Sequence, residues 1–238
     1  MKLFRLTLLI VFLTGCNAIA GSSLRVLFIG NSHLGTNNVP GLLAQLAADE
    51  DHKFVFESVL QGGFALENHW NTGIAIAAIR RGGWDVVVLQ AQSLEPIEQQ
   101  VNYFKFVRSF NSEIRRIGAR TVLHLGWTRK DLGNPLELQP RWTAATLEIA
   151  RKIGAGVVPV GLAWTQSLSG FPELILYSSD GNHATLAGSY LAACTYYAAL
   201  YQKSPVGKPF PAGLEAVRTA LQSSAWLGFK SLEPGFWP

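Results

Sequence analysis

The chain has 238 residues, of which 48% are hydrophobic and only 15% are charged, with a formal net charge of +4. A chain this long and this apolar can bury a sizeable core, which excludes an intrinsically disordered protein. Two of its basic residues, Lys2 and Arg5, lie in the leader and the others are spread along the chain, which argues against a nucleic-acid-binding surface. We therefore expect a globular protein with no nucleic-acid partner.

The first 15 residues have the organisation of an export signal peptide. Lys2 and Arg5 give a positive start, and an unbroken apolar run follows at residues 8–13. This run is too short for a membrane-spanning helix, which needs about 20 apolar residues. We therefore assign residues 1–15 to a signal peptide and exclude them from the fold.

Cys16 ends the tetrad Leu-Thr-Gly-Cys, which resembles a bacterial lipobox. The resemblance implies cleavage before Cys16 and attachment of a diacylglycerol to its sulfur, and two or three acyl chains make a durable membrane anchor. Residues 16–23 would then be a short tether. The protein would lie at the bacterial cell envelope, in a Gram-negative host at the outer membrane or facing the periplasm. The alternative is an ordinary secretory signal that is cleaved nearby, for example after Ala20.

Apolar runs of strand length alternate with stretches of helical period along the mature chain. Strands are predicted at 24–29, 54–59, 84–90, 120–126 and 157–160, and helices at 39–48, 65–79, 96–117, 138–153 and 184–202. The third strand has the strongest signal because four consecutive residues are Val or Leu. This alternation predicts a parallel sheet with helices on both faces.

Residues 24–203 are expected to form the body of a single domain. Residues 204–238 are predicted to be a Pro- and Gly-rich linker, a short amphipathic helix around Val217 and an aromatic tail, all packed on the same domain. Cys194 lies in an apolar helical stretch, which predicts a buried, inert thiol.

Four short segments are placed where ligands bind in a doubly wound sheet. They read Gly-Asn-Ser-His at 30–33, Gln-Gly-Gly at 61–63, Gln-Ala-Gln-Ser at 90–93 and Asp-Gly-Asn-His at 180–183. The first three follow predicted strands, and the fourth precedes the last long helix. Because ligands bind at the carboxyl ends of the strands, we expect all four segments at one edge of the sheet.

Ser32, His183 and Asp180 are the residue types that nucleophilic acyl transfer requires. A serine on a tight turn between a strand and a helix presents its hydroxyl above the sheet, but a hydroxyl is a weak nucleophile until a base takes its proton. His183 is the natural base. Asp180, three residues earlier, can accept a hydrogen bond from the other ring nitrogen and hold the tautomer.

Hydrogen-bond donors for a developing oxyanion are also available in these segments. The main-chain N–H of Ser32 can face the oxyanion, and Gly62 or Gly63 can bring a second N–H close because neither has a side chain. Gln90 and Gln92 offer a side-chain amide as a third donor, and the residues themselves leave both open.

The four segments, in this order, resemble the SGNH (GDSL-like) hydrolase family over about residues 24–200. The resemblance rests on Phe-Ile-Gly-Asn-Ser at 28–32, on the glycine pair and on Asp180-x-x-His183. It implies a flavodoxin-like three-layer α/β/α sandwich, here with five parallel strands. It also implies a catalytic triad of Ser32, His183 and Asp180, with an oxyanion hole that includes the amides of Ser32 and one of the two glycines.

The third segment departs from the family pattern. The family commonly has Gly-x-Asn-Asp after strand three, where the Asn completes the oxyanion hole, but residues 89–93 read Leu-Gln-Ala-Gln-Ser. This stretch is more similar to the Gln-Gly-Glu-Ser stretch of some carbohydrate acetylesterases in the same superfamily. That similarity favours Gln90 as the donor, whereas spacing from the strand keeps Gln92 open.

Trp127 and Trp164 follow the fourth and fifth predicted strands, so both are expected near the same edge as the serine. Paired indoles at a pocket rim suit the apolar faces of sugar rings, which predicts a role in substrate binding; the alternative is ordinary loop packing. His33 and His69 are expected at the surface, with pocket lining as the alternative. The five histidines show no metal-ligand spacing.

The sequence therefore predicts a serine esterase that hydrolyses small acyl esters, chiefly O-acetyl groups on carbohydrate, through an acyl-enzyme and without cofactor or metal. One alternative is an O-acyltransferase with the same triad, and another is a non-catalytic surface-binding lipoprotein. A nucleotide-binding protein is disfavoured because the first strand–helix turn lacks Gly-x-Gly-x-x-Gly and P-loop patterns. A histidine base predicts an acid limb in the activity near roughly pH 6–7.

Overall fold

A five-stranded sheet is the centre of the molecule. The computed structural model describes residues 23–233 and 235–236, so the predicted signal peptide and Cys16 lie outside the described residues. The strands are β1 (Ser23–Gly30), β2 (Lys53–Leu60), β3 (Val86–Leu89), β4 (Arg120–His124) and β5 (Gly156–Val158). All neighbouring strands pair in parallel, in the order β2-β1-β3-β4-β5. All five predicted strands are present.

Helices follow each strand, and most of them agree with the predicted ones. They are α1 (Ser32–Gly35), α2 (Val39–Leu46), α3 (Leu66–Thr72), α4 (Ile74–Arg80), α5 (Glu95–Glu98), α6 (Gln100–Arg116), α7 (Pro135–Ile153), α8 (Val160–Gly170), α9 (Leu186–Tyr201) and α10 (Arg218–Lys230). The predicted helix at 65–79 is two helices, because Gly73 adopts a left-handed conformation with φ 73° between them. Helix α8 was not predicted, since its apolar start continues the apolar run of β5.

Alternate residues of β1 enter two separate cores. Val26 and Phe28 pack in a cluster with residues of α2, α8, α9 and α10, whereas Leu27 and Ile29 pack with residues of α3, α4, α6 and α7. Successive side chains of a strand point to opposite faces, so the helices cover both sides of the sheet. The predicted flavodoxin-like three-layer α/β/α sandwich is confirmed.

The C-terminal region packs on this same body. Helix α10 begins later and extends further than the short helix predicted around Val217. A Cβ atom on Gly228 would lie 2.4 Å from main-chain atoms of Ala163, so the glycine allows α10 to approach α8 closely. In the tail, the carbonyl of the buried Phe236 accepts a hydrogen bond of 3.0 Å from the N–H of Val157 in β5.

The Pro- and Gly-rich stretch after α9 is fixed by a buried carboxylate. Glu50 accepts hydrogen bonds from Lys203 Nζ (2.6 Å), from Lys208 Nζ (2.7 Å) and from the hydroxyl of Tyr197. Burial alone would raise the pKa of Glu50, but these three hydrogen bonds lower it to about 2. We refer to these four residues as the Glu50 cluster. It lies at the amino end of β2, at the edge of the sheet where the strands begin.

Cys194 lies in the middle of α9 and is fully buried. Burial raises the pKa of its thiol because a thiolate would lose its solvation there. The predicted buried position of this cysteine is confirmed. Within residues 23–233 and 235–236, no helix combines the length and the apolar character needed to cross a bilayer.

Candidate active site

The four segments predicted to meet do meet at the carboxyl edge of the sheet, and Asn31 joins three of them. Its main-chain N–H donates to Oε1 of Gln90 at 2.7 Å, and its side-chain amide donates to the carbonyl of Phe64 at 2.9 Å. Its Oδ1 accepts a hydrogen bond of 3.1 Å from the N–H of His33, which caps α1. The turn that carries Ser32 is therefore fixed to the loops after β2 and β3. This position lies between β1 and β3, where the strand order reverses and where doubly wound sheets bind ligands.

Gly30 makes this close approach feasible. A Cβ atom at Gly30 would lie 2.5 Å from Oε1 of Gln90, so no larger residue fits without displacing that amide. The carbonyl of Gly30 accepts a hydrogen bond of 2.8 Å from Nε2 of His69. His69 is only 2% exposed, so the prediction that it lies at the surface is wrong.

Ser32, His183 and Asp180 form a continuous hydrogen-bonded chain. Ser32 Oγ lies 2.8 Å from His183 Nε2, and His183 Nδ1 lies 2.5 Å from Asp180 Oδ2. Hydrogen bonds from the His183 ring and from the N–H groups of Asn182 and His183 hold the pKa of Asp180 well below its usual range. An ionised Asp180 can only accept, so the proton resides on Nδ1 and Nε2 is free to accept the Ser32 proton.

The turn that carries Asp180 and His183 is held from outside by the loop after β4. The N–H of Lys130 donates to the carbonyl of Gly181 at 2.7 Å. Gly181 has φ 68°, and a Cβ atom there would lie 3.0 Å from the N–H nitrogen of Asp131. A left-handed conformation and this close contact both favour glycine at this position.

Gly62 and Gly63 lie on an exposed turn beside the serine. Gly63 has φ 72°, and no atom lies within 4 Å of the position of a Cβ atom at either glycine. The bond from Asn31 to Phe64 brings this turn to Ser32. That the N–H of Gly62 or of Gly63 faces an oxyanion stays a prediction.

The two glutamines have different surroundings. Gln90 is 1% exposed; its Oε1 accepts from the N–H of Asn31, and its Nε2 donates to the carbonyl of Ala91. Gln90 thus holds the serine turn in place, and because its NH2 group carries two N–H donors, its part in an oxyanion hole stays a prediction. Gln92 is half-buried, and its Nε2 makes only a long contact of 3.4 Å with Ser93 Oγ. Gln92 therefore also has an N–H available for an oxyanion, and its predicted role likewise stays a prediction.

Glu95 is a functional candidate that sequence reasoning missed. It is fully buried, and its Oε2 accepts hydrogen bonds from the N–H of Gln92 (2.7 Å) and of Leu66 (3.3 Å). Burial raises the pKa of its carboxyl. One oxygen thereby ties the loop after β3 to the start of α3. An acidic residue among the apolar residues that precede α6 is the signal that could have found it.

Trp127 and Trp164 do not form a pocket rim, so the predicted stacking of sugar rings on them is wrong. Each is 1% exposed, and their ring centroids lie 4.2 Å apart with an angle of 10° between the planes. The other face of Trp127 stacks on His33 at 4.4 Å. Because these faces are covered, the rings cannot stack on a sugar. The alternative of internal packing holds instead.

Two cavities accompany the site. A small one, about 10 Å³, is lined by residues that include Gln92, Ala91, Trp127 and Trp142, and it has room for about one water-sized group. A groove of about 320 Å³ lies beside the loop after β4, between Lys130 and Tyr177. In the described part of the chain, no group of three or more His, Cys, Asp or Glu residues could hold a metal ion.

Several solved structures share this architecture. A DUF4886 family protein from Bacteroides uniformis matches with a TM-score of 0.75 and 21% sequence identity, over 88% of this chain and 96% of that one. A putative SGNH hydrolase from Slackia heliotrinireducens matches with a TM-score of 0.61 and 26% identity, over 74% and 98%. The acetyl xylan esterase AlAXEase matches with a TM-score of 0.59 and 14% identity, over 74% and 99%.

No protein-family model and no curated protein sequence matches the chain. The likeness to solved structures therefore carries the classification. The chain has the fold of the SGNH hydrolases, and the resemblance in its sequence agrees with that fold.

Proposed function

We propose that this protein is an SGNH-type serine esterase that hydrolyses short acyl esters, chiefly O-acetyl esters on carbohydrate, through an acyl-enzyme. The observation that carries the proposal is the hydrogen-bonded chain from Ser32 Oγ through His183 to Asp180, with distances of 2.8 and 2.5 Å. Nucleophile, base and orienting carboxylate within hydrogen-bond reach are what acyl transfer needs.

The reaction proceeds in two halves. Ser32 Oγ attacks the ester carbonyl as its proton passes to His183 Nε2, and the oxyanion is held by the N–H of Ser32, by Gly62 or Gly63 and by Gln92. The C–O bond to the alcohol then breaks as His183 returns the proton to the leaving oxygen. In the second half, His183 takes a proton from water, the hydroxide attacks the acyl-enzyme, and Ser32 regains its proton as the carboxylic acid leaves.

Two observations support a short acyl group. The small cavity beside the serine turn, about 10 Å³, has room for a group of about the size of a methyl. One structural neighbour is named an acetyl xylan esterase, and the segment at 90–93 resembles carbohydrate acetylesterases. Sugar stacking on Trp127 and Trp164 no longer contributes, since both rings are buried.

The alternatives are weakened by the site. A non-catalytic binding protein would not need the three side chains at hydrogen-bond distance. An acyltransferase would have to keep water from the acyl-enzyme, whereas the His183 and Asp180 side chains are 33% and 48% exposed. Openness to solvent favours water as the acceptor.

The deciding experiment is hydrolysis of 4-nitrophenyl acetate and butyrate by the wild-type protein, Ser32→Ala and the control Ser109→Ala. Ser109 is half-buried on α6, away from the site, and its hydroxyl donates to the carbonyl of Lys105 in the same helix. We expect turnover of acetate above butyrate, a loss of roughly a thousandfold or more in Ser32→Ala, and no change in the control. Equal activity in wild type and Ser32→Ala would refute the proposal.

We also propose that a lipid on Cys16 anchors the mature protein in the bacterial envelope, with the membrane as its partner. The support is the tetrad Leu-Thr-Gly-Cys after an apolar run. Cys16→Ser should abolish incorporation of labelled palmitate and release the protein from membranes. Retention of the label in that variant would refute the anchor.

A further inference from the structure

His33 follows Ser32 directly, yet its side chain is directed into the protein. It is 4% exposed, so the prediction that it lies at the surface is wrong. Its Nε2 lies 3.1 Å from Oδ1 of Asn182. An amide oxygen can only accept a hydrogen bond, so this contact places a proton on Nε2 of His33.

Asn182 connects this bond to the catalytic turn. It stands between Asp180 and His183 in the chain, and its N–H donates to Asp180 Oδ1 at 2.9 Å. Its carbonyl accepts a hydrogen bond of 2.9 Å from Nε1 of Trp127. Asn182 is thus held by its side chain and by its main chain at once. The motif Asp-Gly-Asn-His alone indicates no role for Asn182.

The orientation of the His33 ring is determined by aromatic packing. One face stacks on Trp127, with centroids 4.4 Å apart and 11° between planes, and Trp127 stacks in turn on Trp164. The ring meets His183 edge to face at 5.9 Å. A ring packed in this way aims Nε2 in one direction, toward Asn182.

The charge of His33 follows from the groups around it. Burial lowers its pKa to about 4; the bond to Asn182 opposes this, and the charges of His183 and Arg129 reinforce it. Asp180 acts weakly in the opposite direction. His33 is therefore neutral at neutral pH and adds no second cation beside the base.

From these contacts we infer that His33 is a positioning residue. Through its hydrogen bond to Asn182 it holds the turn that carries Asp180 and His183 against the turn that carries Ser32. His33, which follows the nucleophile Ser32 in the chain, thus controls the separation of Ser32 from His183. The effect of His33 on catalysis rests on the proposed function, but the hydrogen bond between His33 and Asn182 can be tested without measuring turnover.

The test compares three changes. His33→Leu keeps the bulk of the ring but removes the donor, and His33→Gln keeps an N–H near the position of Nε2. Asn182→Ala removes the acceptor of the same hydrogen bond from the partly exposed turn. It tests that bond if His33→Leu lowers the thermal midpoint of the protein. The control is His52→Leu, an exposed histidine at the opposite edge of the sheet.

The first readout is the low-field proton NMR signal of the His183 Nδ1–H that is bonded to Asp180. We expect this signal in the wild type, in His33→Gln and in the control, and we expect it broadened or lost in His33→Leu and Asn182→Ala. A signal unchanged in both of these variants would overturn the inference, whether or not the protein hydrolyses esters.

The second readout is the split between kcat and KM. Loss of one net hydrogen bond predicts a kcat lower by roughly tenfold in His33→Leu and in Asn182→Ala, with KM nearly unchanged and His33→Gln near wild type. Because both changes break the same bond, the double variant should lose no more than either single one. A wild type without esterase activity but with the NMR response refutes the proposed function alone; full kcat in both single variants refutes the positioning role alone.

Discussion

Two carboxylates at opposite ends of the sheet show how differently one chemical group can be used. Asp180 lies at the carboxyl edge with its side chain 48% exposed, and its hydrogen bonds come from its own turn. Glu50 lies at the amino edge with its side chain 6% exposed, and its partners are about 150 residues away in the chain. Hydrogen bonds lower the pKa of both groups.

The difference lies in what each carboxylate orients. In the proposed triad, Asp180 holds the His183 imidazole toward Ser32, so its loss should damage chemistry and spare the fold. Glu50 joins the start of β2 to the segment after α9, so its loss should damage the fold and spare chemistry. Exposure thus separates a carboxylate that orients the imidazole of an open site from one that is shielded from water.

The largest effect is expected from Asp180→Asn. The neutral amide no longer holds the required tautomer of His183, so kcat should fall by about 10³–10⁴-fold. The thermal midpoint should fall only slightly, because solvent screens the half-exposed carboxylate and the amide oxygen can still accept from the N–H groups of Asn182 and His183. Asp49→Asn, an exposed change near the opposite edge, is the control and should leave kcat intact. A kcat that falls less than tenfold would contradict a triad.

Glu50→Gln should have the reverse effect. The pKa of Glu50 is lowered from 4.5 to about 2, which corresponds to a loss of up to about 3 kcal/mol in the free energy of unfolding at pH 7. Activity per folded molecule should stay the same. Urea unfolding measures the first quantity, and active-site-normalised kinetics measures the second.

The pH dependence of that loss has a defined sign. Because the folded pKa of Glu50 lies below the unfolded value, its stabilisation is fully present above about pH 4.5 and disappears as pH falls toward 2. Wild type and Glu50→Gln should therefore converge in stability at acid pH. Glu57→Gln is the matched control: its exposed ion pair with Arg81 should contribute at most about 1 kcal/mol. A difference between wild type and Glu50→Gln that persists at pH 2 would contradict the account.

A smaller and sharper comparison uses two glycines. A Cβ atom at Gly30 would lie 2.5 Å from Gln90 Oε1, and one at Gly228 would lie 2.4 Å from the main chain of Ala163. Both Ala variants should lose about 1–3 kcal/mol of stability by overpacking. Only Gly30→Ala should also lower kcat, since it displaces the serine turn. Equal kcat in the two variants would show that Gln90 does not position Ser32.

The sequence by itself determined the five strands, the class of fold and the identity of the triad candidates. It did so because these features are local: an apolar run predicts a buried strand, and Asp180-x-x-His183 spans a single turn. Only the tertiary structure decided that His33 is buried, that Gln90 bonds to the turn that carries Ser32 and that the two tryptophans stack on each other. Those outcomes depend on contacts between residues such as Asn31 and Gln90, or His33 and Asn182, which are 59 and 149 positions apart. No local pattern encodes which distant partner will satisfy a buried polar group, because that is decided when the layers pack together.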